Sequence, residues 1–399
     1  MGEGQPGTFK IRSMEKLPRL VVKDLSQDHS LPAMDDFRRA NFPFRMLDES
    51  VIAPLMTLGI NPNESAEDRA RVFLLQATFI TGGLLLTFLG HHQAMDMTGQ
   101  GRVMHLLSKV CHNEQFTIEE LTSGNPDRRN IIPILDDSYE PGPELEHQIV
   151  KTPPPIESIS SGTGEVQPPL PLPICSWAYF TFSPTSLAAL KKLATKTITL
   201  RSGYISTDDT LSAFIWQSVS RARLPRLDRT ASVTFARAID PRRYLGIPQT
   251  YPGLVQNMAY TTYPHEQLVE GPLGGVASQL RLAVDPKTSD QGYKTRALAT
   301  VLSRAKDKNV VSVTASLDLA KDIMLSSWAK EDCYGLDFNL GLGMPEAVRR
   351  PQFTPVESLM YLMPKRLDGE IAAAICLREE DMERLEKDEM WAKYAEYVG

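Results

Sequence analysis

Cysteine is scarce in this 399-residue chain, and its four copies, Cys111, Cys175, Cys333 and Cys376, lie far apart. No C-x-x-C pair occurs, which excludes a disulfide framework and a zinc cage and fits reduced thiols. A surplus of basic charge is also missing. Lys plus Arg number 43 against 49 Asp plus Glu, a net charge of −6, so nothing marks a nucleic-acid binder, which needs a basic face to neutralise phosphates. Residues 1–30 contain no apolar signal-peptide core, so a cytoplasmic location is expected and the sequon Asn63-Glu64-Ser65 should carry no glycan. The one long hydrophobic run, 72–90, is interrupted by Gln76, Thr78 and Thr81 and has Gly82-Gly83 at its middle. It reads as a buried hairpin and not as a membrane span. Gly-x-Ser-x-Gly and P-loop motifs are absent, and Ser303-x-x-Lys306 lacks the companion motifs of serine acyl-enzymes.

What is present is an ordinary globular composition, 42% hydrophobic and 23% charged, long enough for about two to three domains. Seven of the 29 prolines fall between Pro153 and Pro173, around the loose stretch Ser158–Gly164. Such a segment sustains neither a helix nor a central strand and suits an extended crossover. It divides the chain into an N-terminal part (1–138), a crossover (139–174) and a C-terminal part (175–399). Periodicity predicts strands at 72–80 and 84–90 and a helix at 99–112. After the crossover a strand is expected at 177–182. Ser183 then caps a helix over 185–195 that has Pro184 at its first position, and a second helix covers 208–223. Strands at 231–239, 310–317, 322–329 and 370–377 and a closing helix at 379–397 complete the reading. Helices and strands mix without strict alternation, which predicts α/β layers with mixed sheets.

Chemistry concentrates where the second strand of the hairpin ends and a helix begins: Gly90-His91-His92-Gln93-Ala94-Met95-Asp96. A histidine of ordinary pKa can accept a proton at neutral pH, and an aspartate four residues on can hold its loop. The same residues would also serve as structural polar groups at a strand end. They could supply two or three ligands of a metal, although no further Cys/His cluster completes such a site. A second feature is the glycine-rich turn Asp337-Phe338-Asn339-Leu340-Gly341-Leu342-Gly343, which lacks the third glycine of a dinucleotide fingerprint.

Together the two motifs resemble the BAHD acyltransferases, in particular their fungal secondary-metabolite branch. His92-Gln93-Ala94-Met95-Asp96 fits the family's H-x-x-x-D in full. Asp337-Phe338-Asn339-Leu340-Gly341 fits D-F-G-W-G at Asp, Phe and the last Gly. Leu211–Trp216, Asp240-Pro241-Arg242, Gln256-Asn257 and Ser326-Ser327-Trp328 match in order. The resemblance implies two similar chloramphenicol-acetyltransferase-like α/β domains joined by a long crossover, with a channel between them. It implies acyl transfer, chiefly acetyl transfer, from acyl-CoA as co-substrate to a hydroxyl of a small-molecule acceptor, with no bound cofactor and no metal. His92, and not His91, would be the general base. Asp96 would be structural, paired with Arg242 or the neighbouring Arg243, and Asp337 a structural support of its turn. Met95, Phe180, Trp216, Tyr260 and Trp328 are candidates for lining the channel or for plain core.

Two departures bear on activity. Asn339 stands where the family has Gly, and the strand and helix that the family carries ahead of Gly7–Ile11 have no counterpart. An uncovered flank would favour association of a chain otherwise expected to be a monomer. A catalytically inactive binding homologue is the alternative function. A third reading is the condensation domain of a peptide synthetase, which shares a His-His-x-x-x-Asp motif but not the second one.

Overall fold

The computed structural model describes residues 11, 20–58, 71–151, 173–200 and 203–399. The sequon at Asn63, the segment 7–10 and the proline-rich centre of the crossover lie outside them. In chain order the elements before the crossover are β1 (Leu20–Asp24), α1 (Met34–Ala40), α2 (Glu49–Ile52), β2 (Phe73–Ile80), β3 (Gly83–Gly90), α3 (Met97–Cys111) and α4 (Ile118–Gly124). After it come β4 (Cys175–Phe182), α5 (Pro184–Thr195), α6 (Thr207–Arg223), β5 (Ser232–Ile239), α7 (Arg242–Leu245), β6 (Asn257–Pro264), α8 (His265–Glu270) and α9 (Leu273–Leu282). The chain ends with α10 (Gln291–Arg304), β7 (Ile323–Ser327), β8 (Leu359–Leu362), β9 (Ile371–Arg378), α11 (Glu379–Glu386), α12 (Glu389–Ala392) and β10 (Glu396–Tyr397).

The hairpin forms as its pattern predicts. β2 and β3 pair antiparallel from Phe73↔Gly90 to Ile80↔Gly83, and Gly82 takes the positive φ (78°) of the two-residue turn. With β1 parallel to β2 they make a three-stranded sheet. The other sheet is mixed, with seven strands in the order β10-β4-β9-β8-β7-β5-β6. On one of its faces α5, α6, α9 and α11 bury Phe180, Phe182, Phe235, Met360 and Ile375. Its other face, carrying Trp177, Tyr179, Ala374 and Cys376, is covered by Phe37, Phe42, Phe44 and Ile52 from the N-terminal part. A strand buried on both faces needs no polar alternation, which is why β4 reads Cys-Ser-Trp-Ala-Tyr-Phe-Thr-Phe. Residues before and after the crossover therefore share one core.

Two expectations fail. Residues 310–317 alternate as a strand would, yet form consecutive turns, with one isolated bridge between Ile149 and Val311. The Ser312 and Thr314 hydroxyls bond each other at 3.0 Å, and Ser312 Oγ accepts the Thr314 amide at 3.2 Å, so local side-chain bonds displace the ladder. The closing helix breaks in two because the Asp388 carboxylate accepts the Trp391 amide at 2.9 Å and caps a new start; Glu396–Tyr397 then adds a strand to β4. Among the described residues no helix is long and apolar enough to cross a membrane.

β5, β7 and β8 run parallel, so their carboxyl ends share one edge of the sheet. Loops leaving β5 at Asp240 and β7 at Trp328 converge there on the N-terminus of α3. Open α/β sheets place ligand sites at such an edge.

Candidate active site

Asp96 is the N-cap of α3, its Oδ1 accepting the Gly99 amide at 2.7 Å. The helix therefore starts at Met97, two residues earlier than periodicity alone suggests. The same carboxylate accepts Arg242 Nη2 at 3.0 and 2.9 Å and the Val255 amide at 2.7 Å. Burial pushes the Asp96 carboxyl up, and Arg242 with the Val255 and Gly99 amides opposes that. Each of these partners is a donor, so the contacts hold the ionised form.

Arg242 has no exposed surface. Beyond Asp96 it donates to Asp240 Oδ1 (2.9 Å), Gly253 O (2.6 Å) and Tyr251 O (3.3 Å). One guanidinium thus joins residues 146 apart in sequence. Arg243, the alternative partner, points elsewhere, to Tyr244 Oη and Val284 O. The approach is close: a Cβ on Gly99 would stand 2.2 Å from Pro252 O, so only glycine fits.

His91 and His92 differ in their hydrogen bonds. His92 is exposed, and its Nδ1 lies 3.3 Å from Met95 O. A carbonyl can only accept, so the proton sits on Nδ1 and the Nε2 lone pair is free to take another. His91 Nδ1 instead accepts the Gln93 amide at 3.3 Å, and its backbone anchors the turn through Val72 O, Ala94 N and Met95 N. Only His92 presents a free basic nitrogen from an exposed side chain.

Asp337 lies at the opposite end of α3. Its carbonyl accepts Ser108 Oγ at 2.5 Å and His112 Nε2 at 3.2 Å, and its carboxylate accepts the Asn339 amide at 2.8 Å. Asn339 adopts the left-handed region (φ 54°) and donates to Cys111 O at 2.9 Å. Asparagine tolerates that conformation, so the turn closes without the family's glycine. Fifteen residues of helix, about 22 Å, separate the two motifs.

Of the channel candidates, Phe180 and Trp216 are core: Trp216 has no exposed surface and packs on Phe235 and Tyr263. Met95 is buried beneath the turn. Tyr260 and Trp328 stay half-buried, Tyr260 stacked on His147. Ser303 merely back-bonds to Thr300 O near the end of α10. Among the described residues no group of three or more His, Cys, Asp and Glu could hold a metal.

Two residues at the site carry no sequence signal. Glu331 accepts Thr98 Oγ1 at 2.7 Å over the first turn of α3, and burial pushes its carboxyl up. Arg128 donates to Ala94 O at 2.8 Å. Both come from polar loops remote in sequence from the motif.

A family model for the trichothecene 3-O-acetyltransferase-like N-terminal domain matches residues 1–111. The O-acetyltransferase dmxR13 of Cryptosporiopsis sp. is 55% identical over 399 residues, 100% of this chain and 85% of that protein. Trichothecene 3-O-acetyltransferase TRI101 of Fusarium sporotrichioides is 50% identical over 400 residues, 100% of this chain and 84% of that one. The crystal structure of F. graminearum TRI101 complexed with coenzyme A and T-2 mycotoxin matches with a TM-score of 0.88 and 49% identity, covering 97% of this chain and 83% of that chain. The chain belongs to the fungal trichothecene 3-O-acetyltransferase-like family.

Proposed function

We propose that the chain transfers an acetyl group from acetyl-CoA to a hydroxyl of a small secondary metabolite, with His92 as general base and Asp96 and Arg242 positioning it. A thioester is already activated, so the enzyme needs no nucleophile of its own. His92 Nε2 takes the hydroxyl proton as the oxygen attacks the thioester carbonyl. When the tetrahedral intermediate collapses, the imidazolium returns that proton to the departing thiolate. Such a base is worth about 10²–10⁴ in rate, and holding the two substrates against it supplies the orientation contribution.

The observation that carries this reading is the free Nε2 of an exposed His92 four residues before a buried, fully paired Asp96. It supports an active enzyme over an inactive homologue, as do the acetyltransferase names of relatives at 55% and 50% identity. The proposal keeps the division into 1–138, 139–174 and 175–399, with the substrates meeting between the two larger parts. It makes the enzyme a monomer acting in the cytoplasm, where free Cys111, Cys175, Cys333 and Cys376 stay reduced. Incubation with acetyl-CoA and a panel of hydroxylated fungal metabolites, T-2 toxin included, should release CoA and yield a product heavier by one acetyl group. No CoA release with any acceptor would sink the reading.

A further inference from the structure

The turn that carries His92 is fastened at two points. Asp96 and Arg242 hold its downstream end. The Ala94 carbonyl, two residues after His92, is held separately, by the Leu254 amide at 3.2 Å and Arg128 Nη1 at 2.8 Å. Arg128 is exposed, and among the described residues no carboxylate pairs with it. The adjacent Asp127 is taken by Arg129, whose Nε lies 2.9 and 3.0 Å from its two oxygens. Arg128 thus directs its charge to the backbone of the turn and to one ring: its guanidinium carbon is 5.8 Å from the Tyr251 centroid, and that of Arg242 is 5.9 Å from the same centroid. Tyr251 is buried and closely fitted, since a Cβ on Gly253 would meet its hydroxyl at 2.1 Å. The ring thus neighbours two arginines, a buried one that ties down Asp96 and an exposed one that ties down Ala94.

We propose that Arg128 is a positioning residue for the transfer reaction, holding the Ala94 carbonyl so that His92 keeps its tautomer and its place. This rests on His92 being the general base. The Ala94 carbonyl lies in the peptide plane that leads into Met95, and Met95 O is what holds the proton on His92 Nδ1. Without Arg128, the Ala94 carbonyl keeps one longer bond, from the Leu254 amide at 3.2 Å. A shift of about 1 Å in a reacting group costs on the order of 10²-fold.

The test is steady-state kinetics of Arg128→Met and Arg128→Lys beside His92→Ala, with melting temperatures. Arg128→Met should lower kcat about 10–100-fold, leave the KM for acetyl-CoA within about twofold as expected for a group that binds neither substrate, and melt like wild type. Arg128→Lys, which can still donate to Ala94 O, should recover most of kcat. If the Met variant also melts early, the Lys variant decides: recovery of kcat supports positioning, and no recovery overturns it. A wild-type kcat for Arg128→Met overturns the proposal. So does a rise in KM for acetyl-CoA as large as the fall in kcat, which would make Arg128 a substrate contact. An inactive His92→Ala beside an unaffected Arg128→Met rejects the arginine's role alone; an active His92→Ala overturns the base assignment and the proposal with it.

Discussion

The two ends of α3 hold the chain's two motif aspartates, and they hold them differently. At the N-terminal end Asp96 is 7% exposed and accepts from a helix amide, a distant amide and a fully buried guanidinium. At the C-terminal end the Asp337 side chain is 32% exposed and accepts chiefly from an amide of its own turn; His112 Nε2 lies 3.8 Å from its carboxylate. Both residues look alike in a motif. Burial separates them: a buried carboxylate depends on every partner it has, whereas a half-exposed one can trade a lost partner for water. The N-terminal end should therefore be intolerant of change in both activity and stability, and the C-terminal end should tolerate it.

The largest effect should come from His92→Ala, a loss of about 10²–10⁴ in kcat, with folding intact because the side chain is exposed. His91→Ala should lose far less, since its ring offers no free basic nitrogen from an exposed side chain. Equal losses for both, read by initial rates with acetyl-CoA, would break the distinction between the two histidines. Next comes Asp96→Asn. The new amide group would face Arg242, Val255 N–H or Gly99 N–H with a donor of its own, and the buried Arg242 would be left with Asp240 alone as a charged partner. The expected cost is about 3–5 kcal/mol, seen as a fall in melting temperature alongside the loss of activity.

The C-terminal end should give smaller numbers. Asp337→Ala removes one neutral-donor hydrogen bond at a half-exposed site, worth about 0.5–1.5 kcal/mol. Asn339→Ala forfeits the bond to Cys111 O and puts alanine at φ 54°, a strain of about 1–2 kcal/mol. Denaturant midpoints should move for both while kcat holds within about threefold. A loss of activity from Asp337→Ala as large as that from His92→Ala would end the contrast between the two ends of α3.

The legible parts of this molecule are those whose causes lie within a few residues. The hairpin at 73–90 follows from two apolar, β-rich runs around Thr81-Gly82-Gly83, and Ser183-Pro184 announces α5 because a cap and a first-turn proline are local chemistry. The His92–Asp96 spacing and the Asp337 turn are visible for the same reason. Residues 310–317 show the limit: alternation was present, but Ser312 and Thr314 met their hydrogen bonds at home. The Asp96–Arg242 pair is named through the family resemblance, but the second fastening of the motif was not visible at all. Arg128, Tyr251 and Glu331 sit in ordinary polar or mixed segments, and only tertiary packing brings them to Ala94 and Thr98. Nor does sequence order show that Phe44 from the N-terminal part stacks on Tyr179 at 4.0 Å, beneath a sheet of the C-terminal part.

Glu331 offers the smallest effect and the finest test of the N-terminal end. Two carboxylates, Asp96 and Glu331, crowd the first turns of α3, where a Cβ on Gly101 would come within 2.9 Å of Glu331 Oε2. Burial pushes the Glu331 carboxyl up, Thr98 and Arg102 oppose it, and Asp96 and Asp240 add to it. A carboxyl raised above its unfolded value binds its proton more tightly in the folded protein. Its contribution to stability is full at pH below the unfolded value and is lost as pH rises through the folded one. Glu331→Gln stays neutral throughout and keeps an oxygen for Thr98 Oγ1. The variant should therefore melt slightly higher than wild type near pH 8, by about a degree or two, and the gap should close as pH falls toward the ordinary glutamate range. A variant that melts lower at pH 8 would reverse the sign. The helix N-terminus and Arg102 would then outweigh burial, and the second carboxylate would support the same helix end that Asp96 caps.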